Sequence, residues 1–241
     1  MAAIMPVAAG RDGDPAPYPA YLREFGCLAD GTDILLRPIH PDDDALERAF
    51  ISGLSRDSRY NRLLGARKLT PKEIRQLTRI DYEREMAFVA VTADSGQARL
   101  VRVARYVRDA YASGAEFALV VADAWQRKGV GTLLLQALLL QARAAGIARL
   151  HGIIFSTNQA MQNLARKLGF VQHADPRDAT LRRVELTLAP DVFFAAAAAG
   201  EDHRAAANDE APVSCNSPRA PALTDLRTNQ PAGASAGAEP G

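Results

Sequence analysis

The 241-residue chain is poor in cysteine, with only Cys27 near its start and Cys215 near its end, so neither a disulfide scaffold nor a cysteine zinc site is suggested. Its four histidines, His40, His151, His173 and His203, show no metal-ligand spacing, so zinc is not implied. No apolar stretch is long enough to span a bilayer. The richest, Leu133 to Leu140, contains Gln136 and soon meets Gln141 and Arg143, as a core helix would. The start, MAAIMPVAAGRDGD, lacks the basic residues and hydrophobic segment of a secretion signal. A reducing cytoplasm fits these features.

Large apolar side chains also run short at both ends, and especially from about residue 195 onward, where Ala, Pro, Gly and Ser dominate. Such a segment gains too little burial to offset the entropy of ordering. We therefore expect a flexible segment over 1–27, one compact domain over 28–190, and a disordered tail over 191–241. The net charge of +1 is uneven: residues 189–241 hold seven acids and three Lys or Arg, leaving +5 for residues 1–188. That bias suits an anionic ligand and is too weak to indicate nucleic acid.

The order of elements reads as mixed α/β. TDILLRPI has strand character, HPDDDALERAFISGLSRDSRYNRLL reads as one or two helices, and TPKEIRQLTRI as another, with Thr70 as cap, Pro71 at the first position and Glu73 completing a capping box. MAFVAVTA, ARLVRVARYVRD and AEFALVVA then form a β meander. A long helix follows WQRKGVG, then a strand LHGIIFS, a helix NQAMQNLARKLG, and strands around FVQHA and ATLRRVELTLA.

The run Gln126-Arg127-Lys128-Gly129-Val130-Gly131 lies between a strand and a helix. Glycine lets the backbone approach a ligand closely, and amides at a helix start favour phosphate oxygens. The run is either a diphosphate cradle with Arg127 and Lys128 at its rim or an ordinary basic strand-to-helix turn. It is not a Walker A loop, which needs a longer glycine spacing followed by Lys-Ser or Lys-Thr. It is not the usual dinucleotide fingerprint either, because hairpin-like strands precede it.

EFALVVADAWQRKGVG, followed by STNQAMQNLARKLGF, resembles the GCN5-related N-acetyltransferase superfamily. The matched positions are Gln126, Gly129 and Gly131 in the first segment, and Asn158, Lys167, Gly169 and Phe170 in the second. The resemblance covers roughly residues 31–188. LRPIHPDDDALERAFISGLSRDSRYNRLL and LTRIDYEREMAFVAV look like the acetyltransferase domain of bacterial Pat-type protein lysine acetyltransferases. The large synthetase-like or cyclic-nucleotide-binding portions found beside many such domains have no room in this chain.

The resemblance implies a GNAT-like fold with a central mixed, mostly antiparallel twisted sheet flanked by helices, and acetyl-CoA as acyl donor. It implies Glu116 as the base that takes a proton from the amine, the alternative being a glutamate facing solvent at a strand start. Glu85 is a second candidate, equally able to pair with Arg84 or Arg79. Donor contacts are implied for the backbone at Val120 or Val121, through a strand bulge, for Gln126, Arg127, Lys128, Gly129, Val130, Gly131 and Thr132, and for Asn158, which also suits a helix cap. Met161, Leu164 and Leu168 repeat at helical spacing and read as core. Many family members place a tyrosine four residues before the glycine of the Gly-Phe pair, where this chain has Ala165. The expected acceptor is a protein with an exposed lysine, with a small amine as alternative and a non-catalytic CoA-sensing domain as a further reading. Neither nucleic acid nor membrane is implied as a partner, and nothing sets an oligomeric state. The basic residues in RVARYVRDAY and SRDSRYNRLLGARK either favour an acidic protein surface or form a solvated face.

Overall fold

A computed structural model of the chain describes residues 17–63, 69–94, 97–110 and 113–188. The expected tail over 191–241 and most of the expected N-terminal segment lie outside these residues. The sheet opens earlier than the expected domain start: β1 (Glu24–Cys27) pairs antiparallel with β2 (Asp33–Pro38) from Glu24↔Leu36 to Cys27↔Asp33. The hairpin closes through Leu28 N–H to Thr32 O (2.9 Å), with Gly31 supplying the positive φ of +80° that the turn requires.

After β2 the chain turns through Pro41–Asp43 into α1 (Asp44–Gly53), then α2 (Arg56–Leu63) and α3 (Pro71–Thr78). At the entry to α1, Arg37 grips Asp43 with two hydrogen bonds of 2.7 Å, and Asp43 also accepts from the His40 amide. At α3 the capping box forms: the Thr70 amide donates to Glu73 (2.7 Å), and the Glu73 amide to Thr70 Oγ1 (3.3 Å). Both devices satisfy amides that have no partner inside the first helical turn.

The meander is β3 (Glu85–Asp94), β4 (Gln97–Arg108) and β5 (Gly114–Val121). It leads through the glycine turn to α4 (Val130–Ala144), β6 (Arg149–Phe155), α5 (Gln159–Lys167), β7 (Val171–Ala174) and β8 (Leu181–Thr187). The eight strands form one sheet in the order β1-β2-β3-β4-β5-β6-β8-β7, antiparallel throughout except for β5 beside β6.

Alternation along the strands sends side chains to two separate cores. Val101, Ala104 and Tyr106 of β4, with Ala115 and Phe117 of β5, pack under Leu134, Leu135 and Leu138 of α4. Val89 and Val91 of β3, Val103 of β4 and Val120 of β5 pack against Phe50 of α1 and Leu77 of α3 on the opposite face. Because both faces of β4 are covered, two of its arginines, Arg102 and Arg105, are only 6% and 3% exposed. This corrects the reading of RVARYVRDAY as a surface feature: covering helices exclude solvent from a strand that its arginines made look half-exposed.

Tyr106 is fully buried, and its hydroxyl has no hydrogen-bond partner among the described residues. An unpaired buried hydroxyl weakens the fold, so Tyr106→Phe is expected to leave stability unchanged or raise it by about 1 kcal/mol, as urea denaturation would read. A loss of more than about 1 kcal/mol would mean that the hydroxyl is satisfied in solution.

Candidate functional site

Strands β5 and β6 pair over only three residue positions, Gly114↔Arg149, Ala115↔Leu150 and Glu116↔His151, and then part. The Phe117 ring sits at the fork, 5.0 Å from Phe170 between centroids. Gly152 faces it across the gap, where a β-carbon would come within 3.0 Å of the ring. The parted strands open a cleft of about 410 Å³ that reaches from Ser58 and Asn61 of α2 to the glycine turn and α5.

The β4–β5 register runs unbroken from Arg108↔Ala115 to Arg102↔Val121. The backbone bonds beyond its ends, Asp109 N–H to Gly114 O and Ala122 N–H to Val101 O, both 3.0 Å, fall on the same register. Antiparallel alternation therefore directs the amides of Glu116, Ala118 and Val120 to β4 and those of Phe117, Leu119 and Val121 towards β6, where Phe117 still belongs to the ladder at Glu116↔His151 and Leu119 and Val121 face the cleft. The bulge expected in this strand is not there; the sheet's register shift lies between Ala90 and Val91 instead. Cleft-facing amides arise because β6 leaves, so Val121 offers one and Val120 does not.

In the turn, Arg127 (φ +62°) and Gly129 (φ +85°) both adopt left-handed conformations around Lys128. Such alternation gathers successive amides into a concave anion site, and the first turn of the fifteen-residue α4 adds its unpaired N–H groups. This geometry fits the diphosphate of a coenzyme A thioester. Arg127, Gly129, Gly131 and Thr132 line the cleft. Val130 instead points into the core, and Lys128 turns outward to Asp30 (3.0 Å) with its ammonium 5.0 Å from the centre of the Trp125 ring. Hydrogen bonds from Thr32 and then Lys128 hold the Asp30 carboxyl down at about 2.

Gln126 also lines the cleft, but its amide donates to Ser58 Oγ (3.2 Å) and Asp123 Oδ1 (3.4 Å). Asp123 accepts from the Ser55 amide (2.9 Å), the Ser55 hydroxyl and the Ser58 hydroxyl (both 2.8 Å). Desolvation opposes ionisation there, yet these bonds hold the Asp123 carboxyl below its ordinary value. The cluster ties the start of α2, which forms one cleft wall, to the turn that forms another.

Glu116 stands where the strands begin to part, half-buried and lining the cleft. Burial raises its proton affinity above the usual carboxylate range; the His151 charge opposes that rise and Asp109 adds to it. His151 Nε2 lies 2.9 Å from Asp109 Oδ1, so a carboxylate–imidazole pair flanks Glu116. Glu85 is placed differently. It is joined to Glu116 only across Val107, through Glu85↔Val107 and Val107↔Glu116, about 10 Å away by strand spacing, and it does not line the cleft. Burial raises its proton affinity too, against the charge of Arg105.

Asn158 caps α5, its Oδ1 accepting from the Met161 amide (3.1 Å), and still reaches the cleft wall. Met161 and Leu164, read as core, form part of that wall. Ala165 is fully buried, and no tyrosine lines the cleft among the described residues. No cluster of three or more metal-type side chains occurs among the described residues, and His203 lies outside them. Among the lining residues that sequence reasoning missed are Ser58, Asn61, Arg102 and Asn163; the one available signal was the arginines that recur every third residue along β4, among apolar neighbours.

A family model described as an acetyltransferase (GNAT) domain matches residues 33–171. Acetyltransferase PA5475 of Pseudomonas aeruginosa is 36% identical over 154 residues, covering 64% of this chain and 83% of that protein. Acetyltransferase Pat of Mycolicibacterium smegmatis is 32% identical over 139 residues, which cover 56% of this chain and 40% of that relative's length. Among solved structures, the GNAT domain of S. lividans PAT aligns with a TM-score of 0.65 at 27% identity, over 71% of this chain and 99% of that domain.

Gly129 has open space around it, so the left-handed backbone alone demands glycine there. Gly129→Ala is expected to cost about 1–2 kcal/mol of stability in urea denaturation and to weaken coenzyme A binding in calorimetry. Unchanged values for both would show that the turn holds its shape without glycine.

Proposed function

The chain belongs to the GNAT acetyltransferase family, and from that membership we propose that it transfers the acetyl group of acetyl-CoA to the ε-amine of lysines on protein substrates in a reducing cytoplasm. The observation that carries this reading is Glu116 at the fork of β5 and β6, a half-buried carboxylate with raised proton affinity at the cleft wall. The thioester supplies the acyl carbon, on which a C–N bond to the amine forms as the C–S bond breaks. Glu116 accepts the proton that the ammonium must lose before the amine attacks, directly or through water, and the raised affinity makes it a stronger base than a free carboxylate; the second N–H proton leaves to water or to the departing thiolate as the tetrahedral adduct collapses. The amides of Leu119 and Val121 offer donors to oxygen atoms along the gap. With Ala165 buried and no tyrosine lining the cleft among the described residues, no phenol there is placed to protonate the sulfur, and the stability of a thiolate makes such a donor dispensable.

Two features support a lysine acceptor. Glu116 in the cleft wall, with Asp109 near it, gives the acceptor end negative character that suits an ammonium. The likeness to the Pat domains supports a protein rather than a small amine as its carrier.

Mass spectrometry of a lysate stripped of small molecules and incubated with acetyl-CoA should show new acetyl-lysine with wild type and not with Glu116→Gln. No new acetyl-lysine, with coenzyme A binding intact, would overturn the protein substrate; turnover of a screened small amine would then replace it, and absence of any turnover would indicate a sensor. In steady state, Glu116→Gln is expected to lower kcat about 10²- to 10³-fold and to leave the acetyl-CoA KM within about 3-fold. Because Glu116 binds its proton more tightly than an ordinary carboxylate, the base form disappears as pH falls through a value above that range. The wild-type kcat/KM profile should show this acid limb, and Glu116→Gln should lack it.

A further inference from the structure

Arg102, on β4 opposite Val121, points beneath the first turn of α4. It is 6% exposed and lines the cleft. Its Nε is buried without a hydrogen-bond partner, and no carboxylate offsets its charge among the described residues. Burial alone pulls the guanidinium down to about 9, which leaves it charged in neutral solution.

Arg105, three residues on and facing the other core, gives the contrast: its Nη2 donates to Leu77 O at 2.6 Å, and Glu85 lies within its field. The fold holds Arg105 by its own groups. Arg102 instead adds positive charge beside the positive end of a long helix, an arrangement that is repulsive until an anion lies between them. The guanidinium occupies the space a side chain at Gly131 would need, since a β-carbon there would overlap it. Gly131 has no positive φ, so its backbone accepts alanine, and the three atoms nearest to such a β-carbon all belong to the Arg102 guanidinium.

We propose that Arg102 is a buried anion anchor that holds the diphosphate of the acyl donor from beneath the glycine turn, making the enzyme select diphosphate-bearing thioesters over simpler ones. This rests on reading the cleft as the acyl-donor site. Position along the sheet distinguishes a diphosphate from a carboxylate on the acyl group. Val121, opposite Arg102, is separated from Glu116 by about 16 Å of strand, so the guanidinium is remote from the reacting carbon and close to the turn. Arg127 is exposed at the rim and Lys128 is held by Asp30, which leaves Arg102 as the enclosed cation among the described residues that line this end.

The test uses the full chain with Arg102→Met, Gly131→Ala and the double variant, titrated with coenzyme A and assayed with acetyl-CoA, succinyl-CoA and S-acetylpantetheine, which has no diphosphate. Each single variant should weaken coenzyme A binding about 10- to 100-fold, the double variant no further, and S-acetylpantetheine turnover should remain within about 2-fold of wild type. Gly131→Ala displaces the guanidinium without removing it, so the test survives if Arg102→Met fails to fold. Unchanged coenzyme A binding in Arg102→Met would overturn the anchor, as would an equal loss with S-acetylpantetheine, which marks a purely structural arginine. A loss confined to succinyl-CoA would overturn it in favour of an acyl-carboxylate contact. Wild-type protein that binds no coenzyme A would overturn the donor-site reading itself, an outcome distinct from wild-type binding that ignores Arg102.

Discussion

Two neighbouring parallel strands can share a hydrogen-bond ladder only while they stay about 5 Å apart, and β5 and β6 abandon that spacing after Glu116↔His151. The Phe117 ring, packed on Phe170 with Gly152 yielding space opposite, holds the separation in the core. From that one departure follow the cleft, the amides that face it, and the position of Glu116 where the strands begin to part. A sheet continuing its ladder would bury these amides in pairing. The antiparallel pairing of β5 with β4 supplies the rigidity that lets the other side remain open.

The walls of the opening are mechanically linked. Asp123 gathers Ser55 and Ser58 from the start of α2, and Gln126 reaches the same group from the glycine turn. Helix α2 and the turn therefore share one polar joint, and a displacement of the turn is felt at the wall carrying Ser58 and Asn61. Tyr60, on the same helix, stacks on Phe155 at the far end of β6 (5.0 Å between centroids), bracing α2 across the gap.

Charge is sorted by depth around the turn. Lys128 spends its ammonium on Asp30 at the surface, Arg127 stays at the rim, and Arg102 lies below with no counter-charge among the described residues. At the opposite end the carboxylates of Asp109 and Glu116 gather with His151 between neighbouring strands. One cleft thus has a cationic end and an anionic end. This separation matches a ligand whose anionic group and reacting carbon are far apart, and an acceptor that arrives as a cation.

Family resemblance put Glu116 forward as the candidate base, and local patterns in the chain determined the order of strands and helices, the capping box at Thr70 and Glu73, and the glycine-rich turn between strand and helix. Each of those patterns depends on residues within a few positions of one another, and backbone sterics and capping act over that range. The direction of Lys128 was decided by Asp30, 98 residues away, and the use of Gln126 by Ser58, 68 residues away. The amide that faces the cleft, at Val121 rather than Val120, was decided by sheet register. Arg102 looked solvated in a strand read by itself and became a buried charge only once α4 lay across it. Burial and pairing between distant segments depend on which elements come to cover one another, and only the packed sheet and its helices settle that.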